Sequence, residues 1–271
     1  MSETQGTIDV RRDGPVAIVT LGRGRGNVMG GRFFAELRST FEELGRDDSR
    51  AVVVTGHGDD FSFGLDLAEA AGFLTPLLGA SDASGRQAFL DLIRDWQAAV
   101  TALAACRKPT VAAVAGKCIG GGVDLVAACD VRVAAADAVF SVREARVAIV
   151  ADLGSLQRLV GIIGDGHLRE LALTGDDIGA DRARAIGLVN DVLPDRSGAQ
   201  HAALDLARRM AANSPLVLRG IKDVLDAERG PRVEAGLRYT AVWNAAFLPS
   251  HDLGEALAAF SERRAPDFQG R

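Results

Sequence analysis

The stretch Ala115-Gly116-Lys117-Cys118-Ile119-Gly120-Gly121-Gly122-Val123-Asp124-Leu125 decides how this chain is read. An apolar run, Val111 to Val114, precedes it and predicts a short buried strand. Three consecutive glycines follow, then residues suited to a helix. Glycine lets backbone approach a ligand closely. The first N–H groups of a helix lack partners within it, and the helix dipole favours negative charge there. On the residues alone, two readings stand side by side. The glycines hold an oxyanion, or they permit tight strand–helix packing.

Upstream lies a second loop, Asp60-Phe61-Ser62-Phe63-Gly64-Leu65-Asp66-Leu67, after another buried-strand pattern, Ala51 to Thr55. One N–H from each loop would complete a two-donor hole. Nearer the start, Ile8 to Arg12 and Val16 to Leu21 are β-rich and separated by Asp13-Gly14, which predicts a hairpin. Phe34, Leu37, Phe41 and Leu44 recur at helical spacing. Asp82 to Ser84 reads as a surface loop. Phe89, Ile93, Trp96, Val100 and Leu103 mark one face of a helix that Pro109 ends.

Downstream, strands are predicted near Val131 and Phe140, and the patterns turn mostly helical from Leu156. Leu193-Pro194-Asp195-Arg196-Ser197-Gly198 breaks them and sets a boundary between residues 1–194 and 195–271. Three or four helices are expected beyond it. Ser214-Pro215 predicts a helix start, with Ser as N-cap and Pro in the first turn. Alternating strands and helices followed by a helical tail indicate an α/β core with a C-terminal helical lobe.

Composition narrows the partners. The 271 residues are 48% hydrophobic and 25% charged, ordinary for a soluble globular chain that buries its own core. The 36 acids against 31 bases argue against nucleic acid as a partner. Cys106, Cys118 and Cys129 are widely spaced and odd in number, which fits a reduced, cytoplasmic setting. The polar N-terminus lacks the apolar core of a signal peptide. The longest apolar stretch, Thr110 to Ala128, is broken by Lys117 and Asp124, so no membrane span is expected. His57, His167, His201 and His251 lack ligand spacing, and no metal is predicted. No G-x-S-x-G or G-x-x-x-x-G-K-[ST] motif occurs. Cys118 has no evident His partner and reads as a packing residue.

Three acids lie in otherwise apolar surroundings: Asp124, Glu144 and Asp152. Taken singly, each has a structural use. Asp124 complements a helix dipole. Glu144 pairs with Arg143 or Arg146 at the surface. Asp152 caps the helix that follows. As a set, they are candidate acid–base groups.

At these residues the chain resembles the crotonase superfamily, the enoyl-CoA hydratases and isomerases. Asn27-Val28-Met29, Phe61 to Leu67, Lys108 to Gly116, Gly120-Gly121-Gly122, Leu173-Thr174-Gly175, Ala185 to Val189 and Phe260 to Arg264 match its motifs in order. Gly122 to Leu125, Ala128 to Arg132, Val142-Arg143-Glu144 and Ala151 to Leu159 are most similar to the dienoyl-CoA isomerase branch. A hydratase would carry Glu at the position of Asp124. The chain also lacks the peroxisomal C-terminal tripeptide of the eukaryotic dienoyl isomerases.

The resemblance implies a spiral of ββα units and a helical lobe that joins subunits into a trimer or a hexamer of two trimers. It implies an acyl-CoA substrate and no separate cofactor, since CoA belongs to the substrate. The backbone N–H groups of Leu65 and Gly121 would form the oxyanion hole, with Ser62, Phe63, Gly64, Asp66, Gly120 and Gly122 around the bound thioester. Glu144 would remove the alpha proton of a 3,5-dienoyl-CoA, and Asp124 would return one at the far end of the diene, with Asp152 nearby helping to keep Asp124 protonated. The alternatives are water addition to a 2-enoyl-CoA and a non-catalytic acyl-CoA-binding trimer. Phe63, Phe73, Leu74, Leu77 and Leu78 are expected to shape the acyl tunnel, and Arg23, Arg25 or Arg264 to meet the CoA phosphates.

Overall fold

The computed structural model describes residues 6–22, 24–79 and 82–271, without the side chains of residues 73 and 77–79. Its elements run β1 (Ile8–Asp13), β2 (Val16–Leu21), α1 (Gly31–Leu44), β3 (Ala51–Gly56), α2 (Leu67–Gly79), α3 (Ala83–Ala104), β4 (Thr110–Val114), β5 (Lys117–Ile119), α4 (Gly121–Ala128) and β6 (Val131–Ala135). They continue as β7 (Val139–Ser141), α5 (Ser155–Arg158), α6 (Val160–Thr174), β8 (Ile178–Gly179), α7 (Ala180–Ala185), β9 (Asp191–Leu193), α8 (Arg196–Ala211), α9 (Pro215–Phe247) and α10 (His251–Glu262).

The main sheet has the order β1-β2-β3-β4-β6-β9. The expected hairpin pairs β1 antiparallel with β2, and every later pair is parallel. Parallel strands covered on both faces read as continuous apolar runs, which is the pattern of Val16-Ala17-Ile18-Val19 and Ala51-Val52-Val53-Val54. Alternate residues then face opposite layers. Ala17, Val19, Val52 and Val54 share a buried cluster with Phe34, Leu37, Phe41, Val100 and Leu103 of α1 and α3. Phe34 stacks on Trp96 at a centroid distance of 4.6 Å. Each such large apolar side chain contributes roughly 1.5–3 kcal/mol on burial.

The opposite face, with Val16, Ile18, Ala51, Val53 and Val111, is covered by Ala203, Ala207 and Ala211 of α8. Helix α8 therefore packs as part of the core, although the predicted boundary at 194/195 precedes it. The small alanines let it lie close to the sheet. Helices α9 and α10 form the lobe beyond, against α3, α5 and α2. Three helices follow residue 195, within the expected three or four.

Two local expectations change. Asp82 is an N-cap rather than a plain loop residue: its carboxylate accepts from Gly85 N at 2.9 Å and starts α3. Ser214 does precede α9 with Pro215 in the first turn, but its side chain makes no capping bond. Among the described residues, no helix is long and apolar enough to cross a membrane.

A second sheet, β5-β7-β8, starts three residues after β4 ends. It carries both loops singled out in the sequence.

Candidate active site

The loop before α2 is stitched to the edge of β5. Ser62 N donates to Lys117 O at 2.9 Å, and Ile119 N donates to Ser62 O at 2.9 Å. From the other side, Met29 N donates to Gly64 O and Asp66 N to Met29 O, both at 2.9 Å. Asn27 holds the loop from within. Its buried amide donates to His57 O at 2.7 Å and Asp60 O at 2.8 Å. Gly64 has φ +82°, and a Cβ there would lie 2.7 Å from Ile119 O and 3.0 Å from Gly121 N. No side chain fits. A Cβ on Gly122 would stand 2.9 Å from Ser62 O. The glycine run thus serves tight packing at Gly122 and leaves bare backbone at Gly121.

Gly121 opens α4, so its N–H has no partner within the helix. Among the described residues, neither Gly121 N nor Leu65 N donates to a protein acceptor. Two unused N–H donors thus stand on adjoining loops. This is what binding of a developing oxyanion requires.

The residues expected around the thioester divide by role. Ser62 is buried, and its hydroxyl donates to Asn27 O at 2.8 Å while accepting from Gly64 N at 3.1 Å. Asp66 accepts from Ala68 N and Glu69 N at 3.0 and 3.1 Å and so starts α2. Both build the loop rather than offer polar groups to a ligand. Phe63 is exposed beside Gly26. Leu74 is buried among Phe89, Ile93, Ala241 and Leu248, a packing position. The side chains of Phe73, Leu77 and Leu78, and residue Arg23, lie outside the described residues. Arg25 is exposed. Arg264 is paired within its own chain to Glu255 and Glu262. Cys118 is a buried thiol, as read from the sequence.

The three acids converge. Asp124 stands on α4, whose eight residues are all buried, and is 1% exposed. Its Oδ1 accepts from Ser155 N at 2.5 Å. Asp124, rather than Asp152, is therefore the acid at the start of α5. Glu144 begins the 3-10 turn Glu144–Val147 after β7. A Cβ on Gly120 would lie 3.3 Å from its Oε1, which places this carboxyl beside the donor loop. The surface pairing expected for it does not form, because Arg143 bonds Asp177 and Arg146 bonds Asp176. Asp152 Oδ2 accepts from Asn244 Nδ2 at 2.7 Å.

These carboxyls are short of partners. Asp124 Oδ2 and Glu144 Oε2 are buried without any hydrogen bond. Burial first, and then the charge of Asp152, push Asp124 up to about 7 against the opposing bond from Ser155 and the charge of Arg158. Burial and the Asp124 charge push Glu144 up to about 8. Burial pushes Asp152 up to about 6, opposed by the Asn244 amide. Donors set the order. Asp124 and Asp152 each receive an N–H from another segment, whereas Glu144 is bonded only by its own backbone, so Glu144 holds a proton most firmly of the three. Asp124 is also the deepest of the three, whereas Glu144 and Asp152 are only partly buried as residues. The role expected for Asp124, direct protonation of the diene, suits the deepest acid poorly.

Sequence reading did not weigh three residues that build this site: Asn27, Gln97 and Asn244. Asn27 lies in a quoted motif, where its loop contacts could be suspected. Gln97 and Asn244 carry no local signal, and Asn244 lies 92 residues from Asp152.

Comparison with known proteins bears on the fold and the family. The family profile described as "Enoyl-CoA hydratase/isomerase" matches residues 11–271. The chain is 43% identical over 247 residues to the mitochondrial Delta(3,5)-Delta(2,4)-dienoyl-CoA isomerase of Dictyostelium discoideum, covering 90% of this chain and 83% of that one. It is 40% identical to the peroxisomal enzyme of that name from Arabidopsis thaliana, covering 89% and 88%. The crystal structure of an enoyl-CoA hydratase/isomerase from Mycobacterium paratuberculosis superposes with TM-score 0.82 at 31% identity, over 94% of this chain and 99% of that one. A profile that spans residues 11–271 and relatives at 40–43% identity over about nine-tenths of the sequence show that the chain belongs to the enoyl-CoA hydratase/isomerase family.

Proposed function

We propose that this enzyme isomerises a 3,5-dienoyl-CoA to the 2,4-dienoyl-CoA. The observation that carries this reading is the group of three interacting carboxyls, two of them with an unpartnered buried oxygen, next to the loop that bears the Gly121 N–H. Relatives bearing that activity in their names support it.

The thioester oxygen would sit between the two N–H groups. Removal of the alpha proton places negative charge on that oxygen, and one preorganised donor is worth about 3 kcal/mol there. Asp152, supported as an anion by Asn244, takes the alpha proton. The electrons shift along the conjugated chain. Glu144, which holds a proton, delivers it at the far end of the diene. Asp124 stands behind the pair, and its charge state tunes Glu144. The roles expected from the sequence thus shift by one residue: Glu144 takes the acid role expected of Asp124, Asp152 takes the base role expected of Glu144, and Asp124 takes the supporting role expected of Asp152. Two carboxyls are needed because the two carbons are too far apart for one. The chemistry draws on no group beyond acid, base and donors, and CoA arrives with the substrate.

Assembly forms part of the same proposal. Leu216, Val224, Leu225, Tyr239 and Phe247 of α9 are at least 60% exposed. Apolar surface of that extent marks an interaction face. It supports subunit contacts through the helical lobe, as a trimer or a pair of trimers.

The test is an ultraviolet assay with purified protein and two substrates, a 3,5-dienoyl-CoA and a 2-enoyl-CoA. Growth of conjugated-dienoyl absorbance with the first and little change with the second is expected. Loss of enoyl absorbance with the second alone would make this a hydratase. Binding of both without turnover would make it an acyl-CoA-binding protein.

A further inference from the structure

Asn244 stands on α9 in the C-terminal lobe, far from the donor loops in sequence. It is 1% exposed. Its amide nitrogen donates to Val150 O at 2.8 Å and to Asp152 Oδ2 at 2.7 Å. Both partners are acceptors, which fixes the orientation of the amide. An amide NH₂ carries two hydrogens, and each has one partner here. A second buried amide backs the first. Gln97 Nε2 on α3 donates to Asp152 O at 2.7 Å and to Leu237 O of α9 at 3.0 Å. The segment bearing Asp152 is thus gripped at two backbone carbonyls and at its carboxylate.

We infer that Asn244 is the positioning residue of the catalytic base: it aims the Asp152 carboxylate and holds it ionised beside Glu144. The inference rests on the isomerase reading for the role of Asp152. Its physical content does not. A hydrogen bond from a neutral donor favours the charged form of a carboxyl, and a buried carboxyl without one retains its proton. The titratable groups that face Asp152 are Asp124 from α4 and Glu144 from the 3-10 turn, both acidic, and the Asp152 charge raises the pKa of each. Arg158 of α5 acts on Asp124 rather than on Asp152. Among the described residues, no cation bonds the Asp152 carboxylate, so the Asn244 amide is its side-chain donor. The lobe that carries the exposed assembly face thereby contributes a group to the active site.

The experiment uses the full-length protein with aspartate labelled at the carboxyl carbon. Asp152→Asn identifies the Asp152 resonance, and titrations compare the unaltered protein with Asn244→Leu and Asn244→Ser. Leucine keeps the volume and removes both donors. Serine is too short to reach. The Asp152 midpoint is expected to rise by about one pH unit, equivalent to a tenfold change in ionisation at fixed pH. The acid limb of kcat/KM for a 3,5-dienoyl-CoA should move with it, with kcat lowered and KM little changed. An unmoved Asp152 midpoint in a folded variant overturns the inference. In the unaltered protein the Asn244 side-chain N–H resonances should follow the Asp152 titration, and resonances that ignore it also overturn the inference. An inert wild type whose Asp152 midpoint still depends on Asn244 would sink the isomerase reading and uphold the positioning.

Discussion

Two groups of acids in this molecule sit in opposite electrostatic states. Asp47 lies in the turn after α1, where its carboxylate accepts from Ser49 N at 2.9 Å and Ser49 Oγ at 2.6 Å and bonds Lys108 and Arg12. Partial burial works to raise its pKa, but the bonds from Lys108 and Ser49 overcome this and hold it at about 2. Asp124, Glu144 and Asp152 lie close enough to repel one another, and among the described residues the charge that opposes this is Arg158 beside Asp124. Asp47 has more donors than it needs. The trio has fewer, with two buried oxygens unpartnered. Acids that hold structure together are supplied with donors, and acids that move protons are kept short of them.

The difference can be broken one residue at a time. Asp152→Asn and Glu144→Gln should each lower kcat for a 3,5-dienoyl-CoA by about 10²–10⁴-fold, the usual worth of a general acid or base, with KM little changed. Steady-state kinetics decides it, and retained turnover in either variant would remove that residue from the proton path. Gly64→Ala forces a Cβ to within 3.0 Å of Gly121 N and should cost roughly 10²–10³-fold in kcat, the scale of one lost oxyanion donor. Asp124→Asn should cost about tenfold, since it shifts the titration of Glu144 rather than carrying the proton itself. A loss as large as that of Glu144→Gln would return Asp124 to direct protonation.

Stability sharpens the same contrast. Glu144 is pushed up to about 8 in the folded chain from an ordinary 4.5. Between those values the folded state holds the extra proton, so stability falls as pH rises through that window. Glu144→Gln removes the fall. Thermal melts should show the variant gaining on the wild type at pH 8.5 and not at pH 5, by roughly 2–4 °C per kcal/mol recovered. Asp47 behaves in the reverse sense. Its folded pKa lies below its ordinary value of 3.8, so its contribution is present near neutrality and lost as pH falls toward 2. Asp47→Asn should cost about 0.5–1 kcal/mol at pH 7, as for an exposed ion pair, and almost nothing near pH 2, as read by urea titration.

Much of this architecture was legible along the chain. The hairpin, the buried strands and the helix faces of α1 and α3 follow from period and bulk, because those elements meet the core directly. The donor loops were legible as glycine-bearing turns beside strands, but the glycines alone left tight packing and oxyanion binding side by side, and the family resemblance pointed to the second. The acids were legible as a set but not in their roles. Asp124 differs from Glu144 and Asp152 through depth and through donors from Ser155 and Asn244, and those arrive from other elements. Leu193 to Gly198 spans the passage from the end of β9 into α8. It could not show that Ala203, Ala207 and Ala211 return to the sheet, because alanines carry little periodic signal.

The central claim is that two different carboxyls carry the proton off and on. Isomerisation of a 3,5-dienoyl-CoA in deuterated water tests it most directly, with the product examined by mass spectrometry and NMR. Glu144 exchanges its proton with solvent between turnovers, so the account predicts deuterium at the far carbon of the former diene. Product carrying only the substrate's own hydrogen there would mean that a single group moved it, and would contradict the account.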